Sequence, residues 1–106
     1  MDINEAIRFL DPETTVKAIA EVEYYGGFNG KEKAIQKISE SCDVAVAVMH
    51  GYQEMCNLLQ EIESLSANGE SLCADKIVKD FARVKDSVLE RLSNVSDKYI
   101  EDEKEI

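Results

Sequence analysis

The sequence has no tryptophan, a single proline (Pro12), a single histidine (His50) and no cysteine pair in CxxC spacing. One proline and five glycines in 106 residues leave long stretches without a helix breaker. The three cysteines, Cys42, Cys56 and Cys73, are an odd number at spacings of 14 and 17, which excludes a fully paired disulfide framework. Zinc sites usually show close ligand pairs, and none is present, so free thiols in a reducing compartment and no bound metal are expected. No apolar run approaches the roughly 20 residues of a membrane span. The segment Met1-Asp2-Ile3-Asn4-Glu5 lacks the basic-then-apolar order of a signal peptide, and a cytoplasmic protein is expected.

Positive charge is also scarce in one region. The chain carries 22 acids against 12 bases, a net charge of −10. Between Lys37 and Lys76 there is no Lys or Arg over 38 residues, which hold seven acids. Such a surface repels phosphate backbones and anionic lipid, so direct nucleic-acid or membrane binding is disfavoured. It suits a basic partner.

What is present is helical periodicity. Asp2 reads as an N-cap with Glu5 three residues on, and Ile3, Ala6, Ile7 and Leu10 follow at helical spacing. A short helix over 2–10 should stop before Asp11-Pro12, since the residue before proline avoids the α region. Pro12 then opens a second helix over 12–25, with Val16, Ile19 and Ala20 on its apolar face. In "EYYGGFNGKE", Glu23 to Glu32, Gly26-Gly27 supplies a left-handed stop and Asn29 a new cap before Glu32. A phosphate loop would need GxxxxGK[ST]; here three residues separate Gly26 from Gly30, and Glu32 follows Lys31. Tyr24, Tyr25 and Phe28 are expected to plug the elbow between short and long helices; the sharper reading makes them an exposed anchor for a partner.

A long helix over 30–64 is read from Ile35, Ile38, Cys42, Ala45, Met49, Tyr52, Cys56 and Leu59, an unbroken heptad. Asp43 to Met49, "DVAVAVM", alternates as a strand would, and Gly51 interrupts; the heptad keeps its phase through both, so the helix stands with a kink allowed near Gly51. "SLSANGES", Ser64 to Ser71, is a turn cluster. Cys73, Ile77, Phe81, Val84, Val88, Leu92, Val95 and Tyr99 then share one face of a second long helix over 71–100, followed by an acidic tail, 101–106. The expected fold is all-α: one domain over 1–100, an antiparallel hairpin of two long helices with two short N-terminal helices packed on it. With the bend centred near Ala67-Asn68, Val88 should meet Met49 and Tyr99 should meet Ile35. Val44, Val48 and Met55 lie off this seam and form the expected oligomer face if two chains pair into a bundle.

No catalytic constellation emerges. His50 has no cysteine within four residues, Glu61 and Glu63 diverge on a helix, and Cys42 and Cys56, on the core seam, have no Lys or Arg local in sequence. The chain is read as a non-enzyme without cofactor. Glu54, Glu61, Glu63, Glu70 and Asp75 should gather at the bend of the hairpin, an acidic end that steers a basic partner.

Leu10 to Met49, "LDPETTVKAIAEVEYYGGFNGKEKAIQKISESCDVAVAVM", resembles small proteins encoded by phages and prophages of Gram-positive bacteria. They carry a similar Pro-Glu-Thr-Thr…Glu-Tyr-Tyr-Gly-Gly-Phe-x-Gly-Lys-Glu core. The resemblance covers 40 of 106 residues and carries over no functional residue. It implies a phage setting and hence the cytoplasm of a bacterial host. By analogy of class, small acidic phage proteins act as inhibitors of host machinery, including anti-CRISPR proteins that imitate DNA. The expectation is an inhibitor of a host protein with a basic, nucleic-acid-binding surface; the alternative is a homo-oligomeric assembly module with no external target.

Overall fold

The computed structural model describes residues 1–69, 71 and 73–105. They form α1 (Ile3–Leu10), α2 (Thr15–Tyr25), a 3-10 turn (Gly27–Asn29), α3 (Gly30–Ala67) and α4 (Ala74–Glu105), with no strand among the described residues. The fold is all-α, with α3 and α4 as an antiparallel hairpin and the two short helices packed on it. Asp43 to Met49 is helical, and α3 runs unbroken through Gly51. No described helix is long and apolar enough to cross a membrane. Spatial contacts group the chain into two compact units, Met1–Val46 with Asn94–Ile106, and Ala47–Ser93.

In the first unit, side chains set the ends of the short helices. Asp2 Oδ1 accepts from the Glu5 amide at 2.7 Å, capping α1 as expected. The Thr14 and Thr15 hydroxyls donate to the carbonyls of Arg8 (2.7 Å) and Phe9 (2.6 Å), satisfying acceptors that the end of α1 leaves open. Asp11 Oδ1 accepts from the Glu13 amide, so Pro12 to Thr14 form a turn and α2 begins at Thr15 rather than at Pro12. The core holds Ala6, Phe9, Ala18, Ala34, Ser41, Val44 and Tyr99. Glu40 is buried with them and pairs with the Met1 ammonium at 3.3 Å. The Tyr99 hydroxyl lies 2.8 Å from both Asp43 Oδ2 and Ser39 Oγ, and Lys98 Nζ lies 3.1 Å from the same carboxylate.

The second unit consists of the facing parts of α3 and α4. Only Ala47, Gly51, Leu58 and Val84 are fully buried there among the described residues. Val48, Met55 and Ile62 on α3, and Ile77, Phe81 and Val88 on α4, are half-buried around them.

The packing face of α3 is one residue out of phase with the expected seam. Ile35, Cys42, Met49, Tyr52 and Leu59 are exposed, Tyr52 at 71%. Ile38, Ala45 and Cys56 of that seam are half-buried, but the continuous buried or half-buried stripe is Ala34, Lys37, Ser41, Val44, Val48, Gly51, Met55, Leu58, Ile62 and Leu65, a second heptad with the same 3-4 alternation. Small residues on this heptad allow the helix to approach its neighbours closely: a Cβ on Gly51 would collide with a methyl of Val88. The expected oligomer face is corrected accordingly. Val44 is 2% exposed in the core of the first unit, and Val48 and Met55 are half-buried in the second.

The register shifts as well. Val88 meets Gly51 rather than Met49, and Tyr99 meets Ser39 and Asp43 rather than Ile35. The cause is a longer α3, which continues to Ala67 through the serines expected to end it, so the bend falls later in the chain.

Candidate interaction surfaces

The elbow between α2 and α3 is built on close backbone contact. The Gly26 amide donates to the Val22 carbonyl at 2.8 Å, ending α2. Gly27 then takes φ of +63°, the left-handed conformation expected for this stretch, and one 3-10 turn leads into α3. A Cβ on Gly26 would lie 2.6 Å from the Gly30 Cα, and one on Gly30 would collide with the Glu23 carbonyl. The glycines therefore let the end of α2 and the start of α3 touch backbone to backbone. Asn29, expected as a cap, lies within the 3-10 turn instead.

Because backbone closes the elbow, its aromatics are not needed as a plug. Tyr24 is 80% exposed, Tyr25 83%, and Phe28 fully exposed. The expectation that they fill the elbow is corrected; the exposed-anchor reading matches their placement. The two tyrosine rings meet edge to face, centroids 5.0 Å apart, which fixes their mutual orientation. Val16, Ala20 and Tyr24 follow at four-residue spacing along α2, and all three are exposed.

The acids expected at the bend are partly neutralised. Glu54 Oε1 lies 3.6 Å from an Arg91 guanidinium nitrogen and accepts from the Ser87 hydroxyl at 3.4 Å. Glu61 lies 4.0 Å from Lys76 Nζ. The stretch from Ile38 to Asp75 is base-free along the chain, but not in space, because α4 lays its cations beside these glutamates. Glu63 and Asp75 are exposed, and Glu70 lies outside the described residues. The unit Ala47–Ser93 holds 8 acids and 5 bases; the other unit holds 14 and 7, and so carries most of the negative charge. Glu54, Glu61, Arg83, Leu58 and Val84 line an open groove of about 390 Å³ in which both signs of charge occur.

The remaining chemistry is sparse. No group of three or more His, Cys, Asp or Glu among the described residues could hold a metal. Cys42 and Cys73 are exposed, Cys56 is half-buried, and all three are free thiols. Cys56 faces Tyr52 one turn before it, and their hydrogen bond holds the Tyr52 phenol above its usual range. Glu54 lies one turn after His50, but its carboxylate is turned to Ser87 and Arg91. Asp43 is held below the ordinary carboxylate value, chiefly by the Tyr99 hydrogen bond and further by Lys98. Burial holds the Tyr99 hydroxyl above the ordinary phenol value, and its bond to Asp43 adds to this.

Comparison with family models, curated proteins and solved structures gave no match to the chain.

Proposed function

We propose that the chain is a non-enzymatic interaction protein that docks on a partner protein through Tyr24, Tyr25 and Phe28. The observation that carries this reading is the exposure of all three rings on an elbow whose backbone contacts already fix its shape. Exposed aromatics on a rigid support lose little freedom on binding, and aromatic anchors dominate the energetics of protein interfaces. The same unit carries 14 acids and 7 bases, although close to the rings Glu23 and Glu32 are interleaved with Lys31 and Lys33, and Glu21 pairs with Arg8 at 2.9 Å. The net charge of the unit favours a partner that is basic around an apolar pocket. Within the phage setting suggested by the sequence resemblance, its most concrete form is a nucleic-acid-binding host or defence protein, and the activity is inhibition in the manner of an anti-CRISPR protein.

The test is retention of host-lysate proteins on immobilised chain, compared with Tyr24→Ala/Phe28→Ala. Partners held by the elbow should be retained by the original chain, released by added salt, and bound at least about tenfold more weakly by the variant. Both proteins should show the same helical circular dichroism, because the substituted rings support no core. Equal retention by the two would remove the elbow from the proposal.

A further inference from the structure

We infer that the apolar flank of Ala47–Ser93 is the contact face for a second copy of this chain, the two helical pairs closing into a four-helix bundle. The inference does not depend on the elbow.

The α3–α4 seam in this unit has two unlike flanks. Residues one position before the seam, Glu54 and Glu61 on α3 and Lys76, Arg83 and Ser87 on α4, share a polar flank, as their mutual bonds and common groove show. Residues one position after the seam lie on the other side, because each step turns a helix by about 100°. Antiparallel helices are related by an approximate two-fold axis normal to their common plane, so the following positions of both helices fall on the same flank. There α3 presents Met49, Tyr52 and Leu59, and α4 presents Val78 and Leu89, every one of them more than half exposed.

Charge selects the occupant. Each copy carries a net charge of −10, so two copies approach best through a face that lacks carboxylates. On α3 this flank carries a single acid, Glu63, one position after Ile62 at the bend end; from Met49 to Gln60 the only acid is Glu54, which lies on the opposite flank beside Arg91. The charged residue on the α4 side of the apolar flank is a base, Lys85. A basic partner would find only Glu63 at one end to pair with, whereas an identical copy meets a matching apolar surface. Burial points the same way. Ala47, Gly51, Leu58 and Val84 are a meagre core for the 47 residues of Ala47–Ser93, and units this small usually need a further device for stability. Stacking two antiparallel pairs through one flank is a standard route to a four-helix bundle with two-fold symmetry.

Sedimentation equilibrium of the full chain tests this. The expected result is a concentration-dependent mass that approaches twice the 11.9 kDa of one chain. Tyr52→Glu/Leu59→Glu should sediment at single-chain mass with its helical signal retained. Should that pair of charges unfold the chain, the milder Tyr52→Gln/Val78→Gln should still weaken association by at least about tenfold. Glu54→Gln on the polar flank and Tyr24→Ala/Phe28→Ala at the elbow should leave the dimer intact, which separates this inference from the proposed function. Single-chain mass for the original sequence at millimolar concentration, or dimers unaffected by the Tyr52 variants, would overturn it.

Discussion

Tyr99 joins two titrating groups through one hydrogen bond. Asp43, lowered below its ordinary 3.8, contributes stability that is fully present above that value and lost as pH falls through the depressed native value. Tyr99, raised above 10.0, contributes stability that is full below that value and lost as pH rises through the elevated native value. The bond is therefore at full strength between 3.8 and 10.0. Tyr99→Phe keeps the buried ring and should cost about 1 kcal/mol at neutral pH, discounted because Asp43 is partly exposed. Its deficit against the original chain should shrink at both pH extremes, as urea titrations would show. The elbow glycines separate in the same assay. Gly30→Ala, set against the Glu23 carbonyl, should destabilise the chain by more than about 1 kcal/mol. Gly27→Ala has open space and loses only the left-handed preference, about 1 kcal/mol.

At the scale of the element, α3 carries two interleaved heptads, and the two can be told apart by substitution. Val44→Ala should cost about 1–3 kcal/mol as a core truncation, while Ile35→Ala should fall within about 0.5 kcal/mol of neutral. Thermal melts of the two variants measure the difference. This duality explains what the sequence could and could not reveal. Helix identity, the all-α fold, the Asp2 cap and the apolar face of α4 were legible, because α4 has one apolar face and a charged remainder. The face of α3 was not. Periodicity weighted by bulky residues selects Met49, Tyr52 and Leu59, whereas close packing favours Ala34, Ser41, Ala47 and Gly51, whose small size is the reason they are inside. The elbow was misjudged for a related cause. Aromatic bulk reads as core filler until the backbone contacts of Gly26 and Gly30 are known to leave nothing to fill. The neutralised acids needed spatial knowledge, since Arg91 is 37 residues from Glu54 along the chain.

At the scale of the whole molecule, charge and apolar surface are distributed unequally between the two units. The more acidic unit bears the aromatic elbow; the less acidic unit bears the wide apolar flank. Salt should therefore act in opposite directions on the two associations. Screening weakens attraction to a basic partner but relieves repulsion between two copies of charge −10. Partner binding should fall and the dimer fraction should rise across the same sodium chloride series. Lowering the pH toward the isoelectric point near 4.5 should favour the dimer for the same reason.

Gly51 gives the long helices a single notch. The Val88 methyl sits where any other residue would carry its first side-chain carbon, so sliding α4 by a turn would drive that methyl into a neighbouring side chain. The hairpin thus has a built-in detent that sets its longitudinal alignment from the middle rather than from the bend. Lengthening the bend by a residue or two should consequently leave the alignment of the helices unchanged.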